Sequence, residues 1–204
     1  MEKRTRGDLP GLEAQLRMAP DPVDGIRNIP LEPEGKSRNS SVLALIHPGE
    51  NGDIRIVLTH RTETIVHGGQ LSFPGGASEN NETPEETALR EAEEEIGIKP
   101  SKVRIAGTLS DLYLYRSNNL ITPVVGFQEH KPKMVINPIE VQEAFTVSLD
   151  SLLKGENLDK QPWTLNDKTY QVPYWDIHKV PLWGATAMMM SELLVLYREF
   201  RGDI

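Results

Sequence analysis

The chain has 204 residues, no cysteine, and 30 acidic against 22 basic side chains, for a formal charge of −8. That length suits one domain of roughly 150 residues with an appended arm. Such a chain buries about 70% of its unfolded surface, so its core needs neither disulfides nor a structural metal. The missing cysteines exclude a disulfide framework, thiolate zinc sites and a cysteine nucleophile. The acidic balance argues against a general nucleic-acid binder, which needs a basic face. A protein of this charge that handled phosphates would have to recruit cations locally.

The first residues carry charge without a continuous apolar core, and no window approaches the roughly 20 apolar residues of a membrane span. A cytoplasmic protein without membrane contact is the default expectation. Residues 8–17 read as a short helix. Pro20, Pro22, Pro30 and Pro33 then mark an extended connector, so residues 1–40 form an N-terminal helix and connector and 41–204 the main domain. Strands are expected at 41–47 and 53–61, joined by a hairpin through Pro48-Gly49-Glu50-Asn51-Gly52, and again at 103–109, 119–127, 144–149 and 169–175. Two helical windows fall near 84–96 and 184–200. Within the second, Met188-Met189-Met190 reads as core packing. The pattern predicts an α/β (α+β) sandwich, a mixed sheet with helices packed on it.

The helix at 84–96 announces both its ends. Thr83 caps it, Pro84 takes the first helical position, Glu86 completes a capping box, and Gly97 supplies a left-handed stop. At about 100° per residue, Leu89, Ala92 and Ile96 are expected on the buried face, with Glu85 and Ala88 at its edge. Glu91, Glu94 and Glu95 are expected together on the opposite side, with Glu93 turned toward the buried edge. Arg90, four residues after Glu86 and four before Glu94, can bridge carboxylates along the helix. Three carboxylates on one face repel, and a hard divalent cation relieves the repulsion. A solvated acidic surface is the plainer alternative.

The residues ahead of the helix favour the cation. Gly76, five residues, Glu82, seven residues, then Arg90-Glu91-Ala92-Glu93-Glu94-Glu95-Ile96-Gly97-Ile98 fill every fixed position of a 23-residue pattern that resembles the Nudix box. The resemblance implies an α/β/α sandwich and an enzyme that cleaves nucleoside diphosphate derivatives at the pyrophosphate. It implies Mg²⁺ or Mn²⁺ held by Glu91, Glu94 and Glu95, with Arg90 orienting Glu91 and its neighbours, Glu82 supporting the loop or an outer metal, and Gly76 shaping the turn. Cations would neutralise the pyrophosphate and acidify a bound water. The general base would be a helix glutamate such as Glu94 or Glu91, or one from a distant loop. Glu140 and Glu143 are the distant candidates, and Glu140 is preferred because Glu140-Val141 resembles the family's recurrent pattern.

Upstream, Leu58-Thr59-His60-Arg61, His67, Gly69-Gln70 and Phe73-Pro74-Gly75-Gly76 resemble the signature of coenzyme A pyrophosphatases, as do 121–126 and 180–187. The likeness covers roughly residues 40–198. Ile65 and Val66 stand where that subfamily carries a basic residue. The resemblance implies hydrolysis of coenzyme A or acyl-coenzyme A to 3′,5′-ADP and 4′-phosphopantetheine or its acyl form. Arg61, His67, Gln70, Gly75 and Gly76 would contact the substrate, and a homodimer is the subfamily expectation. The rivals are another nucleoside diphosphate substrate, such as ADP-ribose, NADH or a dinucleoside polyphosphate, and a nucleotide-sensing module without hydrolysis.

Overall fold

In the computed structural model, which describes residues 8–27, 30–63 and 68–202, the two opening strand expectations become the middle of a sheet. Strand β2 (Arg38–Pro48) turns through residues 49–53 into β3 (Ile54–Arg61), an antiparallel hairpin in which Ile46 faces Ile56. On its other side β2 runs parallel to β8 (Asn119–Phe127), with Leu43 opposite Val124. A strand paired on both sides and covered on both faces reads as an unbroken apolar run. VLALI, residues 42–46, is that run. Leu43 and Leu45 face one cluster, and Ala44 and Ile46 the other.

The remaining elements in chain order are α1 (Gly11–Leu16) and β1 (Asp21–Pro22) before the hairpin, and β4 (Leu71–Ser72), β5 (Gly75–Ala77), α2 (Pro84–Ile96), β6 (Arg104–Thr108) and β7 (Leu112–Leu114) after it. Beyond β8 come β9 (Val141–Ser148), α3 (Leu149–Leu153), β10 (Leu158–Leu165), β11 (Lys168–Trp175) and α4 (Gly184–Arg201). The larger sheet has the order β4-β3-β2-β8-β6, with β5 added to β2, β7 to β8 and β9 to β3. The smaller one has the order β1-β11-β10. Helix α2 covers one face of the larger sheet over Leu43, Leu45, Val57 and Val124, and α4 covers the other over Ile46, Ile56 and Leu58. The sandwich expected from the sequence is therefore present. Met188, Met189 and Met190 are buried in the α4 layer.

The first forty residues are more than a connector. Strand β2 starts at Arg38, three residues ahead of the expected boundary, because Arg38 to Ser40 pair with Asn119 to Ile121. Helix α1 docks on α4 through Glu192, whose side chain is fully buried. One Glu192 oxygen accepts from Gly11 N at 3.1 Å, Ser110 N at 3.2 Å and Ser110 Oγ at 2.7 Å, and the other accepts from Gln15 Nε2 at 2.9 Å. Four donors compensate the carboxylate's lost hydration, and they bind the arm to the body. Among the described residues no helix is long and apolar enough to cross a membrane. Replacing Glu192 with alanine strands these donors and is expected to cost about 3 kcal/mol of stability. Chemical denaturation measures the loss, and faster amide exchange across residues 11–17 locates it.

Candidate active site

Helix α2 positions the site, and its N-terminus is fixed by chemistry readable from residues alone. Thr83 Oγ1 accepts from Glu86 N at 3.2 Å, and Glu86 Oε2 accepts from Thr83 N at 2.8 Å. At the far end Gly97 adopts φ 69°, a left-handed cap that lets the chain leave without a Cβ clash. With both ends pinned, the rotation of the helix decides where each glutamate points.

That rotation differs from the expected one. The buried arc contains Thr87, Ala88, Ala92, Glu95 and Ile96, while Leu89 is half-buried at its margin. Glu95 is only 1% exposed, and Glu93 is exposed. Both corrections have one cause. Seven residues after Ala88, Glu95 falls about 20° from it around the helix, whereas Glu93 lies past Leu89 on the far side. Glu94, Glu91 and Glu95 thus form a graded series that runs from solvent to the sheet surface.

Two arginines hold this series together. Arg90 donates to Glu82 Oε1 from Nε at 2.7 Å, to Glu91 at 2.8 Å and to Glu94 at 3.0 Å, and it also reaches the Ala77 carbonyl at 3.0 Å. Glu82 gains further donors from Thr87 Oγ1 and Glu79 N, both at 2.9 Å. The Arg90 hydrogen bonds, helped by the Glu79 amide, hold the Glu82 carboxyl down at about 2. It is an anchored anion that fixes the loop before the helix. Arg61, at the end of β3, reaches Glu95 Oε1 at 3.0 Å, and Gly75 N donates to Glu95 Oε2 at 3.2 Å. Burial nevertheless dominates and lifts the Glu95 carboxyl from 4.5 to about 7, against the opposing pull of Arg61 and Gly75. Burial also raises Glu91, partly offset by Arg90.

The two glycines of Phe73-Pro74-Gly75-Gly76 leave the space these carboxylates use. A Cβ on Gly75 would lie 2.4 Å from the Ser41 carbonyl oxygen, and one on Gly76 would lie 2.6 Å from the Glu91 carboxylate. Strand β5 can therefore approach both β2 and α2 only as glycine.

The remaining sequence candidates separate. Glu140 shares the α2 side: its charge acts on both Glu91 and Glu95, and Asn137 Nδ2 donates to it at 3.2 Å. Glu143 lies on the Phe145 side of β9, with its carboxylate 3.1 Å from His178 Nε2. The carbonyl of Gln70 accepts from Arg61 N at 3.1 Å, which places Gln70 beside the Arg61–Glu95 pair. His67 lies outside the described residues, as do Ile65 and Val66. The Arg61–Glu95 pair was not foreseen, since nothing in the spacing of residues 61 and 95 announces it.

Among the described residues no three imidazoles or carboxylates stand as a ready-made metal cage, and Arg90 occupies the space between Glu91 and Glu94. The donor set still suits a hard divalent cation. It is all carboxylate oxygen, and burial holds two of its members above their ordinary pKa, only partly offset by Arg90 and Arg61.

Comparison with known proteins agrees with this geometry. The family model described as the NUDIX domain matches residues 37–167. The chain is 38% identical over 150 residues to the peroxisomal coenzyme A diphosphatase NUDT7 of Mus musculus, covering 71% of this chain and 63% of that protein. It is 32% identical over 178 residues to peroxisomal coenzyme A diphosphatase 1 of Saccharomyces cerevisiae, covering 72% and 51%. It is 34% identical over 160 residues to the mitochondrial Nudix hydrolase 15 of Arabidopsis thaliana, covering 74% and 56%. The chain thus spans little more than half the length of several relatives. A Nudix hydrolase from M. smegmatis, RenU, shares the fold with a TM-score of 0.58 at 22% identity, over 85% of this chain and 94% of that one.

The buried Glu95 has a testable signature. Because its folded pKa is raised, its proton stabilises the metal-free protein at low pH, and that stability is lost as pH rises from 4.5 through about 7. If Glu95 ligates Mg²⁺, as the resemblance implies, the cation displaces the same proton, and calorimetric titration should then show affinity rising about tenfold between pH 6 and 8. Glu95→Gln is expected to flatten the stability dependence across this window.

Proposed function

Because the chain belongs to the Nudix hydrolase family, we propose that it splits the pyrophosphate of coenzyme A or an acyl-coenzyme A into 3′,5′-ADP and 4′-phosphopantetheine or its acyl form. The observation that carries the substrate is the similarity, over 150 and 178 residues, to two proteins named as coenzyme A diphosphatases. The upstream residues Arg61, Gln70, Gly75 and Gly76, next to the acidic cluster, support the same reading.

In this proposal Glu91, Glu94 and Glu95 hold Mg²⁺ or Mn²⁺. When bound, the cation neutralises the pyrophosphate and the charge that develops on the leaving group, and it acidifies the attacking water. Arg90 keeps Glu91 and Glu94 oriented while Glu82 fixes Arg90 in turn. Glu140, on the α2 side yet outside the Arg90 network, receives the water's proton. Arg61, with His67 and Gln70, contacts phosphate, while Gly75 and Gly76, whose Cβ positions are taken by Ser41, Val42 and Glu91, hold β5 close against β2 and α2 beside it.

One observation favours a second substrate of the same chemical class. Ile65 and Val66 stand where the coenzyme A signature carries a basic residue, which leaves a nucleoside diphosphate derivative without a 3′-phosphate, such as ADP-ribose, as the second reading. A sensing module without hydrolysis is disfavoured by the intact Arg90, Glu91, Glu94 and Glu95.

With Mg²⁺ or Mn²⁺, the purified protein should release 3′,5′-ADP from coenzyme A. Glu94→Gln should lower kcat roughly 100-fold with little change in thermal midpoint, since a group involved in metal-assisted hydrolysis is removed from a side chain 55% exposed. Efficient turnover of ADP-ribose with none of coenzyme A would replace the substrate. Unchanged kcat in Glu94→Gln would remove Glu94 from the metal site.

A further inference from the structure

Strand β9 carries one residue too many where it passes Arg61. Against β3, His60 stands opposite Glu143 and Arg61 opposite Val141, so Gln142 is left over as a β-bulge. In a regular strand residues two apart share a face, and Val141 would follow Glu143. The bulge breaks that rule. Val141 and Ala144 pack in the α2-side cluster, Glu143 keeps to the Phe145 side, and Gln142 is exposed between them. Bulges disrupt the ladder locally and recur beside active sites, where they re-aim a side chain. On the β4 side Arg61 is held by its N–H to the Gln70 carbonyl and its carbonyl to Gly69 N, each at 3.1 Å. On the β9 side the regular ladder ends one residue earlier, at the His60–Glu143 pair.

One residue of the loop between β11 and α4 touches both members of that pair. His178 donates from Nε2 to Glu143 at 3.1 Å, meets the His60 ring in a T-shaped contact with centroids 5.3 Å apart, and stacks on Phe145 at 4.6 Å. Its side chain is 10% exposed, and His60 as a whole 6%. Packing alone does not account for two imidazoles here. Among the described residues His60 Nε2 and His178 Nδ1 are buried without a hydrogen-bond partner, a cost that apolar side chains of similar size would avoid. Lys179 also comes within 4.0 Å of Glu143, but it is 83% exposed and adds little to the hold.

We propose that His178 is a positioning residue for the hydrolytic site: by clamping the His60–Glu143 pair it fixes the register next to the bulge and so aims Arg61 at Glu95, which Arg61 reaches at 3.0 Å on the other face of the sheet. The inference rests on the place given to Arg61 under the proposed function. His60 is the covalent neighbour of Arg61, so a rotation or slip of the last regular pair is passed directly to the arginine. Misplacing a positioning group by about 1 Å costs up to about 100-fold in rate, and a loosened clamp is expected to cost part of that.

A double-mutant cycle between His178 and Arg61 tests this, with kcat/KM for coenzyme A and Mg²⁺ as the readout. His178→Ala should lower kcat/KM about tenfold when Arg61 is present and less than about twofold in the Arg61→Ala background, because the residue it positions is then gone. His178→Gln, whose amide can donate to Glu143 as Nε2 does, should return activity to within about threefold of the parent. Glu143 is 45% exposed, so Glu143→Ala is expected to fold and should reproduce the loss of His178→Ala even if the latter does not fold. Equal losses with and without Arg61 would make the role of His178 structural only and overturn the inference. Unchanged kcat/KM in folded His178→Ala or in Glu143→Ala would overturn it as well. If the unsubstituted protein hydrolyses ADP-ribose in place of coenzyme A, the same cycle on ADP-ribose decides by the same outcomes. If it hydrolyses neither, the functional reading fails and the inference falls with it.

Discussion

Like-charge crowding on one helix is the constraint from which the rest of this molecule follows. Seven glutamates and the single Arg90 lie between residues 82 and 95, a net of −6 in a chain of −8. A helix built for stability would alternate such a run with lysines. Here the repulsion is met by position instead. Glu82 is anchored on Arg90, Glu91 and Glu94 share the same guanidinium, and Glu95 is pressed into the sheet surface against Arg61. The price is a carboxylate that keeps its proton until about pH 7. A divalent cation would offset both the crowding and the burial, and it would turn an acidic chain into one that accepts a polyphosphate.

The surrounding fold is arranged to maintain that crowding. The central β2 gives α2 a continuous apolar bed through Leu43 and Leu45, which fixes the depth of the helix. Gly75 and Gly76 bring β5 against β2 and α2 at distances no side chain allows. The β8–β9 loop closes the last turn by bonding to the carbonyls of Glu95 and Ile96. The opposite layer, α4 with α1 clamped on Glu192, takes no direct part in the site, but it supplies the second cover that a sheet buried on both faces requires.

Much of this was legible in the sequence, and the misses have physical reasons. Helix α2 was readable to the residue because its capping box, N1 proline and C-cap glycine are local chemistry. The strands at 119–127 and 168–175 carry β-branched and aromatic runs that stand out. Strand β10 escaped notice because its residues, Leu158 to Leu165, are mostly exposed and polar and include Pro162. Its one signal was Asn166-Asp167, both at positive φ, the two-residue turn of a tight hairpin. The glutamates point differently from the expectation because a wheel drawn through Leu89, Ala92 and Ile96 leaves Ala88 at its edge, whereas the buried arc runs from Ile96 through Ala92 and Ala88 to Glu95 and Thr87, with Leu89 at its margin. The pairing of Arg61 with Glu95 joins residues 34 apart in sequence and is a product of tertiary structure alone.

The chemistry proposed for this site depends on the α2 carboxylates holding a divalent cation. Electron paramagnetic resonance of Mn²⁺ titrated into the metal-free protein tests it most directly. At pH 8 the signal of free Mn²⁺ should disappear stoichiometrically, and it should persist in a folded Glu91→Gln, Glu94→Gln double variant. Free Mn²⁺ throughout the titration of the unsubstituted protein, or equal uptake by the double variant, would contradict it.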